Sequence, residues 1–222
     1  MSDNMDRRTA LLVIDMQMGF LSPRSAQCIA GAEATVPACA AVIKNCRERG
    51  IPVFFVVREY RGDGSDVEHT RYDGWLKGGR AVSRVCAPDI GMAMPEDFGP
   101  EPGDHVIIKP RFSAFFHTEL DLILRRLRID TVLLSGTTTP NCIRATCYDG
   151  ISLEYNVAVL SDCTSSVTGD IQRANLLDMK NVGAQILSSA EFISGTPLTD
   201  TAGLTQSRVR PDGDRRQHIQ SR

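Results

Sequence analysis

The sequence predicts a single α/β domain, a three-layer αβα sandwich around a mostly parallel, six-stranded sheet. Three observations carry this expectation. Short apolar runs recur that are continuous rather than alternating in polarity, as in strands buried on both faces. Helical stretches separate them, so strand and helix alternate in the manner of right-handed crossover units. The chain of 222 residues, 42% of them hydrophobic, is also long enough to bury one substantial core.

The first run is Ala10-Leu11-Leu12-Val13-Ile14, with Asp15 at its carboxyl end. From Glu33 to Arg49, Val36, Ala40 and Ile43 recur at helical spacing and Gly50 supplies a stop. Pro52 to Val57 reads as the second strand. Residues 58–103 are rich in Gly, Asp, Arg and Pro and resist assignment, and so long a loop in a compact domain points to a functional segment. His105 to Ile108 is the third strand, closed by Lys109-Pro110. Thr118 to Leu127 forms an amphipathic helix with Leu120, Ile123, Leu124 and Leu127 inward. Thr131 to Ser135 is the fourth strand, Ile143 to Glu154 a helix, Asn156 to Leu160 the fifth strand, Thr168 to Lys180 a helix and Gly183 to Leu187 the last strand. The result is a Rossmann-like arrangement, in which ligands bind beyond the carboxyl ends of the strands.

The domain is expected to span 1–195. Residues 196–222 have few large apolar side chains and many charges, which predicts a tail that is flexible or that contacts another subunit. A formal net charge of -2 gives no electrostatic footprint for nucleic acid or an anionic membrane. The apolar runs are far shorter than a membrane span and the polar start lacks a secretory signal core, so a soluble, cytoplasmic protein is expected. Seven cysteines, at 28, 39, 46, 86, 142, 147 and 163, form no CxxC pair and read as reduced thiols without a zinc site.

The chemistry concentrates at strand ends. Gly136-Thr137-Thr138-Thr139-Pro140-Asn141-Cys142 follows the fourth strand and precedes a helix, so Cys142 meets unpaired backbone N–H groups and the positive end of a helix dipole. Both favour thiolate, and a reactive thiol of lowered pKa is predicted. Asp15 and Lys109 end two other strands. Together they supply a general base, a cation and a nucleophile, with the backbone N–H groups of Thr138 and Cys142 as an oxyanion hole. Read singly, Asp15 caps a helix, Lys109 is a surface charge and Cys142 is core; their coincidence favours the joint reading.

Leu12-Val13-Ile14-Asp15-Met16-Gln17 with Phe20, Lys109-Pro110-Arg111-Phe112-Ser113-Ala114-Phe115 and Gly136 to Cys142, in that order, resemble the isochorismatase-like cysteine hydrolases. The resemblance extends from about Arg8 to Ile193. It implies a catalytic triad of Asp15, Lys109 and Cys142, a cis peptide at Thr137-Thr138, and a homo-oligomer, dimer or tetramer. Members that cleave a vinyl ether lack the cysteine, so its presence implies an amidase-type reaction, with vinyl-ether hydrolysis as the alternative. The Asp-x-His metal pattern of nicotinamidases is replaced by Arg58-Glu59-Tyr60, so neither metal nor organic cofactor is expected. His105 and His117 are read as structural or solvated.

What remains resembles amidohydrolases of small amide or ureido compounds, such as N-carbamoylsarcosine amidase, biuret hydrolase and ureidoacrylate amidohydrolase. Segment 58–103 is expected to act as a substrate lid. Arg58, Arg61 and Arg71 are candidates for a substrate carboxylate, because a guanidinium fork matches it in two contacts. Phe20, Trp75 and Phe116 are candidate pocket walls, and Gln17 is expected to hold its loop by hydrogen bonds. A redox protein using Cys142 with Cys147, or a catalytically silent assembly module, is a competing reading. The five-residue spacing on a helix turns the two thiols apart and weakens the first.

Overall fold

A computed structural model describes residues 8–96 and 98–199. Six strands, β1 (Thr9–Ile14), β2 (Val53–Val57), β3 (His105–Ile108), β4 (Thr131–Thr137), β5 (Asn156–Ser165) and β6 (Gln185–Leu187), form one sheet in the order β3-β2-β1-β4-β5-β6. Every neighbouring pair is parallel. Strand identity follows the apolar runs of the sequence. The main extension is β5, which continues through Cys163 and Ser165 because its pairing with β4 resumes, after a register shift, at Gly136↔Thr164.

The helices among the described residues are α1 (Met18–Leu21), α2 (Val36–Arg49), α3 (Tyr72–Lys77), α4 (Leu120–Arg126), α5 (Arg144–Ser152), α6 (Gly169–Asn181) and α7 (Ser189–Ile193). The short helices α1, α3 and α7 were not legible in the sequence; one or two turns give too few repeats for a periodic signal. Successive side chains of β1 point to opposite sides, so the sheet serves two cores. Ala10, Leu12 and Ile14 pack with Leu120, Leu124, Cys147 and Met179 of α4, α5 and α6. Leu11 and Val13 pack with Cys39, Val42, Ile43 and Cys46 of α2 and with Phe192 of α7. This is the expected three-layer sandwich, and burial on both faces is the reason β1, β2 and β4 read as continuous apolar runs, whereas the edge strand β3 leaves Val106 and Ile108 exposed.

The strand order reverses direction between β1 and β4, and the crevice outside the carboxyl ends of these strands is the usual ligand site of such sheets. Segment 58–103 folds over that end. It carries α3, two 3-10 turns (His69–Arg71 and Pro88–Ile90) and a small core of its own, in which Phe20, Tyr60, Val67, Trp75 and Val82 are buried together. Residues 196–199, read as the start of a tail, lie against β6: Gln185 Nε2 donates to the Pro197 carbonyl and the Thr199 N–H donates to Gln185 Oε1. The remainder of that segment, 200–222, lies outside the described residues. Among the described residues no helix is long and apolar enough to cross a membrane.

Candidate active site

Four strand ends deliver the polar groups. Asp15 follows β1, Arg58 follows β2, Lys109 follows β3 and Cys142 lies in the π-helical turn Thr139–Ile143 between β4 and α5. Asp15 leaves the strand at φ 54°, the left-handed region that aspartate tolerates better than most side chains. Its N–H donates to the Val56 carbonyl, and the Lys109 N–H to that of Val57, which fixes both at the rim of the sheet. Lys109 starts two strands away from β1, about 9–10 Å at normal strand spacing. Its four-carbon stem spans the gap, crossing the end of β2.

The Lys109 ammonium stands 2.7 Å from Asp15 Oδ2 and 3.4 Å from Cys142 Sγ. It also donates to the Arg111 carbonyl at 3.1 Å. All three triad candidates are buried, Asp15 and Lys109 almost completely and Cys142 with 6% exposure. The carboxylate receives no hydrogen bond from a hydroxyl or backbone N–H among the described residues, and Lys109 is its ion-pair partner.

The predicted lowering of the Cys142 pKa is corrected by this environment. Burial raises the thiol above its ordinary value, the Asp15 carboxylate adds to the rise, and Lys109 and Arg58 offset it only in part. The environment of Cys142 thus disfavours the thiolate rather than favouring it. The sequence placed it at a helix start but could not reveal the depth of burial or the facing negative charge. Cys147 lies buried in the core, its thiol pushed up to about 12 by burial and by Asp178.

Hydroxyl groups lock the turn that carries Cys142. Thr146 Oγ1 donates to the Cys142 carbonyl at 2.7 Å and accepts from the Ala114 N–H at 2.9 Å, tying the segment after Lys109 to the nucleophile turn. Thr139 Oγ1 donates to the Ser165 carbonyl, and Ser165 Oγ donates to Thr137 Oγ1, joining the ends of β4 and β5. The Thr137–Thr138 peptide bond is cis. Gly136 has φ 108°, and a Cβ there would lie 2.0 Å from the Ile14 carbonyl oxygen, so only glycine lets β4 approach β1 this closely just before the two reactive ends.

Gln17 fixes its own loop, after β1, by hydrogen bonds as expected, and the partner is the residue after β2: its Nε2 donates to the Arg58 carbonyl and its Oε1 accepts the Arg58 N–H. Arg58 is 1% exposed. Its Nη1 donates to Glu68 Oε1 at 2.6 Å and to the Tyr60 hydroxyl at 2.7 Å, and Tyr60 donates in turn to Glu68 Oε2. The guanidinium carbon lies 5.5 Å from the Phe112 ring centre, and that of Arg71 lies 5.7 Å from the same ring. Arg61 is exposed on the surface.

The aromatic candidates divide. Phe20 and Trp75 belong to the small core under segment 58–103, where the Trp75 indole donates to the Ala81 carbonyl; they hold the cover in place. Phe116 is not beside the triad. It is 48% exposed and shares a surface depression with His117, Asp149, Ser152 and Leu153, at the end of α5 remote from Cys142. The neighbouring Phe115 turns inward to stack on Tyr155 instead. His105 stacks on Phe54 at the start of β3, also away from the crevice. Among the described residues no three His, Cys, Asp or Glu side chains cluster as metal ligands.

Tyr60, Glu68 and Phe112 were assigned no role from sequence, yet they surround Arg58. Tyr60 carried a weak signal, because residues 58 and 60 share a face of the extended chain after β2. Glu68 reaches Arg58 only through the folded loop and left none.

Comparison with known proteins places this geometry. Residues 9–191 match the Isochorismatase domain model. A probable inactive nicotinamidase of Arabidopsis thaliana is 39% identical over 181 residues, covering 81% of this chain and 91% of the relative. The ureidoacrylate amidohydrolase RutB of Azorhizobium caulinodans is 28% identical, covering 83% and 88%. Among solved structures, an isochorismatase family protein from Desulfovibrio vulgaris superposes with a TM-score of 0.79 at 38% identity, covering 85% and 97%. The N-carbamoylsarcosine amidase of Thermoplasma acidophilum superposes with 0.66 at 28% identity, covering 82% and 96%. Matched along nearly all of its described length, the chain belongs to the isochorismatase family of hydrolases.

Proposed function

We propose that this protein is a cysteine amidohydrolase that cleaves a C–N bond of a small amide or ureido compound through a thioester-type intermediate. The observation that carries the reading is the contact of Lys109 Nζ with both Asp15 and Cys142 Sγ in a site sealed from bulk water. A thiol whose burial disfavours the thiolate needs a base at the moment of attack, and Asp15, held by Lys109, is that base.

In the first half-reaction Sγ attacks the carbonyl carbon while its proton passes to Asp15. The tetrahedral oxyanion is held by the backbone N–H groups of Thr138 and Cys142. Asp15 returns the proton to the leaving nitrogen, the C–N bond breaks and ammonia or an amine departs. In the second half-reaction water gives a proton to Asp15 and its oxygen attacks the thioester; the sulfur leaves and is reprotonated. Lys109, in contact with both groups, balances whichever of carboxylate or thiolate is present. The relatives named for ureidoacrylate and N-carbamoylsarcosine support amide or ureido substrates for this chain.

The reading is tested by ammonia release from a panel of small amides and ureido compounds, with mass spectrometry of the quenched protein. Turnover abolished in Cys142→Ala, with an adduct on the peptide containing Cys142 in the wild type, is the expected result. Turnover that survives Cys142→Ala excludes it.

A further inference from the structure

Arg58, 1% exposed and engaged at Nη1 by Glu68 and Tyr60, leaves the Nε and Nη2 side of its guanidinium without a hydrogen-bond partner among the described residues. These two nitrogens form one edge of the guanidinium, with their N–H bonds directed side by side. A buried, charged donor pair without acceptors costs free energy, and the edge is the one that accommodates a carboxylate in two parallel contacts.

The surroundings fix that edge in place. Glu68 and the Tyr60 hydroxyl hold Nη1, and the guanidinium lies against the Tyr60 and Phe112 rings, at 5.3 and 5.5 Å. The Gln17 amide clamps the Arg58 backbone, accepting from its N–H and donating to its carbonyl. Arg58 ends β2, which lies between β1 with Asp15 and β3 with Lys109, so its charge falls in the same crevice as the triad.

We propose that the Nε/Nη2 edge of Arg58 is the receptor for a substrate carboxylate, and that the substrates are small amide or ureido acids rather than neutral amides. The proposal rests on the amidohydrolase reading and narrows it. Binding the acid end against a rigid fork would set the opposite, carbonyl-bearing end over Cys142. Arg71, on the same Phe112 ring, adds positive charge nearby and favours an anionic ligand. A lysine at position 58 would keep the charge but lose the fork.

The test measures binding by calorimetry to the full-length Cys142→Ala chain, which holds ligand without turning it over. The probes are N-carbamoylglycine and 3-ureidopropanoate, each beside its uncharged methyl ester. The expected result is that an acid binds at least about tenfold tighter than its ester, and that Arg58→Lys in this background removes most of that preference while leaving ester binding unchanged. Equal binding of acids and esters, no binding of either acid, or a preference that survives Arg58→Lys overturns the proposal. Should the Arg58 variant fail to fold, the acid-to-ester ratio of the Arg58-containing protein decides. The reaction itself is judged separately: acids that bind with this preference but release no ammonia with wild-type protein refute the amidohydrolase reading and leave the role of Arg58 standing.

Discussion

Lys109 Nζ and Asp15 Oδ2 form a 2.7 Å ion pair that is almost wholly withdrawn from solvent. Such a pair gains little net stability over an apolar replacement, because desolvation offsets the attraction, but removal of one partner strands the other charge. Asp15→Asn and Lys109→Met are each expected to destabilise the fold by about 3–5 kcal/mol. The double variant should be less destabilised than the sum of the two. Urea unfolding of the four proteins provides the cycle, and strict additivity would contradict the pairing.

The two charges pull the Cys142 thiol in opposite directions, and alkylation reports it. Because burial and Asp15 raise its pKa, the rate at Cys142 should still be climbing above pH 9, with no plateau near neutrality. Removing the negative charge in Asp15→Asn should shift the profile to lower pH and speed alkylation at pH 7. Removing the positive charge in Lys109→Met should shift it to higher pH. Turnover should nonetheless fall in both, by on the order of a hundredfold or more in Asp15→Asn, which lacks the proton acceptor. Rate profiles for iodoacetamide that move the same way in both variants would refute this assignment.

Gly136→Ala tests how closely the reactive ends must approach. The added methyl group would meet the Ile14 backbone at 2.0 Å, one residue before Asp15, and the backbone angle is one that side-chain-bearing residues avoid. Spreading β1 from β4 by even 1 Å would separate Asp15 from Cys142, and a loss of kcat of roughly a hundredfold is expected. Circular dichroism and gel filtration should show the fold retained; full activity in a folded variant would mean that the spacing is not critical.

Turnover is expected to be indifferent to chelation. Arg58, a permanent cation, occupies the end of β2 inside the crevice, where it repels a divalent ion. Exhaustive dialysis against a strong chelator, followed by assay with and without added zinc or manganese, checks this; activity lost and restored by metal would count against it.

The sequence by itself determined the α/β class and the succession of strands and helices, and it singled out Asp15, Lys109 and Cys142 as candidates for a triad. Continuous apolar runs mark the strands; Asp15 and Lys109 stand immediately beyond two of them, and Cys142 lies in the turn that follows a third, at the sheet end where ligands bind in such folds. Gln17 was legible for the same reason, two residues past a strand end. Tertiary structure alone decided the state of Cys142, since burial and the charge of Asp15 come from residues 127 positions away in the chain and outweigh the local helix start. It also decided the aromatic residues: Phe20 and Trp75 became the core of a loop segment and Phe116 turned outward, because a ring without periodic context carries no direction in the sequence. The partners of Arg58 were hidden likewise, for Glu68 meets it only when an aperiodic loop folds back over the sheet.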